Sequence, residues 1–157
     1  MHNSIAPGRL RRQPRRARMR DPLVKLCGYV LRRASIAALA ELNERLAPLE
    51  LRHSDVAMLM LMESHPGITQ SQAGRVLDIQ RANMVPFIAR LEGRGVIQRR
   101  KVDGRSQALE LTGRGRTLLV RARRVVDAHE VALLERVPAK LRPMVLPVLT
   151  ALWKGEP

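Results

Sequence analysis

Gln80, Arg81, Ala82 and Asn83 place two strong hydrogen-bond donors, Arg81 and Asn83, on either side of a side chain too small to obstruct them. A guanidinium can grip guanine O6 and N7 through two parallel hydrogen bonds, and an asparagine amide can pair with adenine N6 and N7. The Ala82 methyl permits close approach or contact with a thymine methyl. The same residues could also form an ordinary solvated helix face. A second group, Arg99, Arg100, Lys101, Asp103 and Arg105, crowds cations around an Asp103-Gly104 turn. An acid two residues before an arginine can hold the guanidinium out along a narrow minor groove, where A·T tracts concentrate negative potential. The plain alternative is an Asp-Gly hairpin carrying a flexible arginine.

The charge is placed to serve such chemistry. The 157 residues carry a formal net charge of +15, unevenly spread. Residues 1–20 hold seven arginines and no acid, and residues 75–124 hold thirteen bases against four acids. The segments 21–74 and 125–157 are close to neutral. A basic middle between neutral segments lets one face neutralise phosphates while the rest builds a core. With one Trp, one Tyr and one Phe, the chain lacks the aromatics that single-strand and RNA stacking platforms need. The single Cys27 excludes an intrachain disulfide, and the four histidines are scattered without metal-ligand spacing, so no metal or other cofactor is expected. No Ser-His-Asp set, paired acids or phosphate-cradling glycine loop points to an enzyme. No apolar run approaches the roughly 18 residues of a membrane span, and the expectation is a soluble, cytoplasmic protein without membrane contact.

The elements that must position these residues can be read in order. Residues 1–20 have no apolar periodicity and read as a disordered basic tail, which either follows DNA phosphates or enters a minor groove, or else precedes a true start at Met19. Residues 21–157 are expected to form a single domain. Asp21-Pro22 starts a long helix over residues 22–47, since the acid caps free amides and proline loses no hydrogen bond at a first position. A second helix, residues 54–63, is apolar nearly all round and should lie buried. Thr69 and Gln72 make a capping box for a short helix, Asp78 and Ile79 a tight connection, and Met84, Phe87, Ile88 and Leu91 the apolar stripe of a second helix starting near Gln80. Two short helices on a tight turn form a helix-turn-helix. Residues 96–102 and 107–112 read as a hairpin with a basic tip. A long helix from Gly113 and a final segment, 138–153, follow; Pro143 and Pro147 should shorten the latter so that its regular part begins after Pro143. The fold expected is mainly α with a two-stranded β wing.

This order, and the wording His65-Pro66-Gly67-Ile68-Thr69-Gln70, RANMVPFIARLEGRGVIQRR from Arg81 to Arg100, Asp103-Gly104-Arg105-Ser106 and Leu111-Thr112, resembles the MarR family of bacterial transcription regulators. The resemblance implies a winged helix-turn-helix over about residues 50–112 and dimerisation helices over about 22–47 and 114–153. It further implies a homodimer on a pseudo-palindromic operator in double-stranded DNA, acting as a repressor released or modulated by a small anionic or aromatic effector. Gln70 and Ser71 would touch phosphates. Arg90 would either touch phosphate or pair with a neighbouring acid. Two departures stand out: Pro86 lies inside the recognition helix, and Asp78 occupies a turn position that often holds Gly.

For the effector, position in the family arrangement suggests Tyr29, Arg33, His53 and Val56, although Tyr29 and His53 are equally well read as packed core-edge residues. Leu26-Cys27 resembles the peroxide-sensing branch of the family, which would make Cys27 a redox-sensing thiol. Tyr29, two residues on and roughly 200° around a helix, cannot readily share its face, so an inert apolar cysteine is favoured. The other reading of the whole chain is an architectural protein that binds DNA without sequence choice.

Overall fold

The computed structural model describes residues 21–103 and 106–155. Six helices and one hairpin run in the order α1 (Cys27–Leu46), α2 (His53–Ser64), α3 (Gln70–Val76), α4 (Arg81–Gly93), β1 (Ile97–Asp103), β2 (Ser106–Leu111), α5 (Gly113–Glu135) and α6 (Arg142–Lys154). The mainly helical fold with a two-stranded antiparallel wing is the one expected. The basic segment 1–20 lies outside the described residues.

The core is built from α2 outward. Val56, Met58, Leu59 and Met62 of α2 meet Leu42 and Leu46 of α1, Ala73 of α3, Met84, Ile88 and Leu91 of α4, Ile97 and Leu109 of the wing and Leu119 and Ala122 of α5. Leu, Met and Val supply this interior, as a chain so poor in aromatics requires. The wing is tied into the same body: Ile97 faces Leu111 and Arg100 faces Ala108 in the antiparallel register. The Leu109 N–H donates to the Ile68 carbonyl (2.8 Å), and Thr69 and Ala108 form a further bridge. The irregularity between Lys101 and Asp103 sits just before the tip.

Two ends differ from the sequence reading. The first helix does not start at Pro22. Asp21 accepts the Leu23 N–H and closes a short 3-10 turn, Pro22–Lys25; the Leu26 N–H then turns back to Leu23, its backbone is extended, and the α-helix begins at Cys27. The last helix begins at Arg142 instead of after Pro143, because Pro143 occupies a first-turn position where its missing N–H leaves no bond unmade. Pro147 is accommodated within that helix.

Burial is uneven. The apolar stripe of α1 is covered only at its carboxyl end: Leu26, Val30, Leu31 and Ile36 are exposed, as are Met144, Leu146, Leu149, Leu152 and Trp153 of α6, the last at 82%. Val24, Cys27, Val30, Leu31 and Ala34 face Leu149 and Leu152 across an apolar groove. No helix among the described residues is long and apolar enough to cross a membrane.

Candidate nucleic-acid interface

Capping places α3. Thr69 Oγ1 accepts the Gln72 N–H (3.3 Å), and Gln72 Oε1 accepts the Thr69 N–H (2.9 Å), the reciprocal pair its sequence announces. The turn to α4 then needs a left-handed residue, and Asp78 takes it with φ 50°. Asp is among the few side chains that tolerate that region. Gly74 allows the two helices to close: a Cβ there would lie 3.2 Å from Met84 Cγ and 3.3 Å from the Ile79 carbonyl oxygen.

The amino end of α4 emerges from this junction. Arg81, Ala82 and Asn83 form its exposed first turn, with Gln80 exposed just before it, while Met84, Ile88 and Leu91 anchor the opposite side in the core. A groove runs alongside, lined by Gln70, Ser71, Arg75, Asp78, Gln80 and Arg81 among others. The structure thus brings together six residues that the sequence singled out: Gln70, Ser71, Gln80, Arg81, Ala82 and Asn83. Arg75 and Asp78 complete the rim, and the sequence reading had not assigned either to it. Pro86 does not break the helix, which runs unbroken from Arg81 to Gly93. Proline cannot donate to the Ala82 carbonyl, which lies in the exposed first turn.

The basic residues divide. Arg90 is paired within the protein while still half-exposed: its guanidinium forms a two-pronged ion pair with Asp55 of α2 (Nη1 to Oδ2, 3.2 Å, with Nη2 on Oδ1) and sits over the Phe87 ring at 5.3 Å. Of the two readings open for Arg90, the ion pair with a neighbouring acid is present in the structure. Arg99 Nε is shared between both oxygens of Glu92 (3.0 Å each), and Arg100 Nε donates to Glu110 (2.5 Å) across the hairpin. Arg100 holds the Glu110 carboxyl below the usual carboxylate range. These two arginines brace the wing while remaining on its surface. Lys101 is exposed. Asp103 is the last residue of β1, and Arg105 lies outside the described residues.

The proposed effector residues separate into two groups. The Tyr29 hydroxyl donates to Asp21 (2.6 Å), with Arg33 6.0 Å from the ring centroid. This bond lowers the Asp21 carboxyl and raises the Tyr29 phenol from their ordinary values. His53 instead packs at the far end of α1, where its N–H donates to Asn43 Oδ1 (2.8 Å), and Val56 is buried in the core. Tyr29 and Asn43 stand fourteen residues apart on one helix, about 21 Å. One chain therefore does not assemble Tyr29, Arg33, His53 and Val56 into a single pocket. Cys27 is exposed, and the only tyrosine hydroxyl is engaged by Asp21.

The family model for MarR matches residues 51–106, from the start of α2 to the wing tip. The chain is 31% identical over 114 residues to the HTH-type transcriptional repressor Rv2887 of Mycobacterium tuberculosis, covering 71% of this chain and 82% of that relative. The chain belongs to the MarR family. Solved MarR-type structures agree along most of its length. The repressor CouR bound to a 23-mer DNA duplex is 34% identical, with a TM-score of 0.78, covering 83% of this chain and 94% of CouR. CouR bound to p-coumaroyl-CoA aligns with a TM-score of 0.77 at 32% identity, covering 83% and 93%. Rv2887 in complex with salicylic acid aligns with a TM-score of 0.66 at 29% identity, covering 80% and 95%.

Proposed function

We propose that this MarR protein is a homodimeric repressor that reads a pseudo-palindromic operator with two copies of α4 and releases it on binding a small effector. The observation that carries this reading is the exposed first turn of α4, where Arg81, Ala82 and Asn83 project from a helix whose other side is fixed in the core. Arg81 and Asn83 supply base-edge donors, Gln80 and Ala82 flank them, and Gln70 and Ser71 contact phosphates from the adjoining groove. Arg99, Arg100 and Lys101 supply positive potential along the wing, and Arg105, aimed by Asp103, enters the minor groove.

Dimerisation is supported by the uncovered apolar faces of α1 and α6, which are too extensive to remain in water. A twofold pair spaces the reading helices about 34–36 Å apart, one turn of duplex. The salicylate and p-coumaroyl-CoA complexes of its relatives suggest an aromatic carboxylate, or its thioester, as effector. Since one chain separates Tyr29 from His53, a pocket using both needs the second subunit.

Selection of duplexes from a random pool by the full-length protein, with sedimentation of the complex, tests the proposal. Enrichment of a two-part inverted repeat bound by two chains is expected. Binding without sequence enrichment would favour the architectural reading, and a stable monomer at micromolar concentration would remove the dimer.

A further inference from the structure

Asp55 is an anomaly in the most apolar helix of the protein. Its side chain is fully buried near the amino end of α2, surrounded by a sequence otherwise rich in Val, Met and Leu. A buried carboxylate is costly unless its lone pairs are used, and here they are. Asp55 Oδ2 accepts the backbone N–H of Arg52 (2.8 Å), and both oxygens receive the Arg90 guanidinium from α4. Two residues earlier, His53 donates its N–H to Asn43 Oδ1, joining the same turn of α2 to α1. Polar contacts therefore tie the first turn of α2 to α1 on one side and to α4 on the other. Asn43, Arg52, Asp55, Arg90 and Arg94 line one cleft beside these contacts.

Arg90 lies seven residues, about two turns, beyond Asn83 on the same helix. The apolar contacts of Met84, Ile88 and Leu91 hold α4 against the core, but such contacts are non-directional. A two-pronged guanidinium–carboxylate pair is directional, because its planar fork accepts one orientation. Half-exposed Arg90, resting on Phe87, can form that fork only while α4 keeps one rotation about its own axis.

We propose that the Asp55–Arg90 pair sets the rotation and inclination of α4, making both positioning residues for base reading by Arg81 and Asn83 without touching DNA. This rests on the DNA-reading role given above. The buried stripe fixes which side of α4 faces outward; removing the fork lets the helix turn by small angles about that orientation, so sequence discrimination falls while phosphate attraction persists.

Asp55→Asn keeps the shape of the side chain, and Arg90→Lys keeps the charge while losing the fork; the second variant serves if the first fails to fold. Two measurements on the full-length protein decide the matter. Hydrogen exchange without DNA should show the amides from Phe87 to Leu91 exchanging on the order of tenfold faster, with those of α5 around Leu119 unchanged. The ratio of affinities for a selected duplex over a random one should fall on the order of tenfold, about the discrimination of one base contact. Equal acceleration in α4 and α5, or unchanged exchange in α4, would overturn the proposal. So would an equal change in affinity on both duplexes, which would make Arg90 an ordinary charge. If the parent prefers no duplex, the operator reading fails by itself, and the exchange measurement, which needs no DNA, still decides the role of the pair.

Discussion

Gly115 in the first turn of α5 lies directly against the main chain of Val96: a Cβ built on it would overlap the Val96 carbonyl oxygen and stand 2.9 Å from the carbonyl carbon. That oxygen accepts the Thr112 N–H (3.2 Å), and Thr112 Oγ1 in turn donates to the Gly95 carbonyl (2.7 Å) and accepts the Gly115 N–H (3.0 Å). The neighbouring atoms are backbone and cannot swing aside. Gly115→Ala should therefore lower unfolding free energy by about 3 kcal/mol, despite alanine's better helix propensity. Thermal and urea unfolding measure it. A variant as stable as the parent would mean that α5 can shift from the wing at no cost.

Asn83→Ala should weaken binding to the selected operator by about 1–3 kcal/mol per half-site and leave random duplex almost unaffected. Titration of both duplexes at one salt concentration separates the cases. Equal losses would show that Asn83 holds backbone and reads no base.

Arg105→Ala should weaken DNA binding and flatten the slope of log affinity against log salt by up to about two units for a dimer. Asp103→Ala should weaken binding less and leave the slope near that of the parent, since no cation is lost. Tighter binding by Asp103→Ala would identify that acid as a repeller of phosphate instead of a guide for Arg105.

Glu41 of α1 accepts hydrogen bonds from Arg136, just beyond α5 (2.6 Å), and from Arg45 (2.8 Å), and Arg136 first, then Arg45, hold its carboxyl below its ordinary value. A carboxyl lowered in the folded protein contributes stability above its unfolded value, and that contribution disappears as pH falls through the folded value. Glu41→Gln should accordingly lower Tm at neutral pH, with the deficit closing as the solution is acidified below the ordinary carboxylate range. A pH-independent deficit in parallel melting curves would assign the effect to packing.

Local rules made most of the fold legible in the sequence. Met84, Ile88 and Leu91 recur at helical spacing and are the buried face of α4; Thr69 and Gln72 cap α3 as a short-range box should. The exposed reading turn followed from the same periodicity, because the buried stripe fixes which side remains. The interactions that escaped are those between distant positions. An acid partner was one of the two readings of Arg90, but nothing near it names one 35 residues away; Asp55, a carboxylate at the start of an apolar helix, is the signal for it. Similarly, Arg94 donates to the carbonyls of Leu49 and Glu50, far off in sequence, and no side-chain pattern reports backbone acceptors. The start of α1 was displaced for another reason: Asp21 and Pro22 do initiate a turn, but propensity cannot tell a 3-10 turn from the first turn of an α-helix.

The bond from Leu109 to the carbonyl of Ile68, with the bridge between Thr69 and Ala108, adds a practical constraint on how such a protein can be retuned. Wing and helix-turn-helix share one mounting at the start of α3, so, in the proposed mode of reading, the spacing between a groove contact made by α4 and one made by the wing is a fixed gauge. Lengthening or shortening the hairpin would alter only the reach of its tip. In the proposed homodimer, adaptation to binding sites of different length would then come from the joint between the two subunits, and an engineer exchanging wings between relatives would have to carry residues 68 and 69 along with the hairpin.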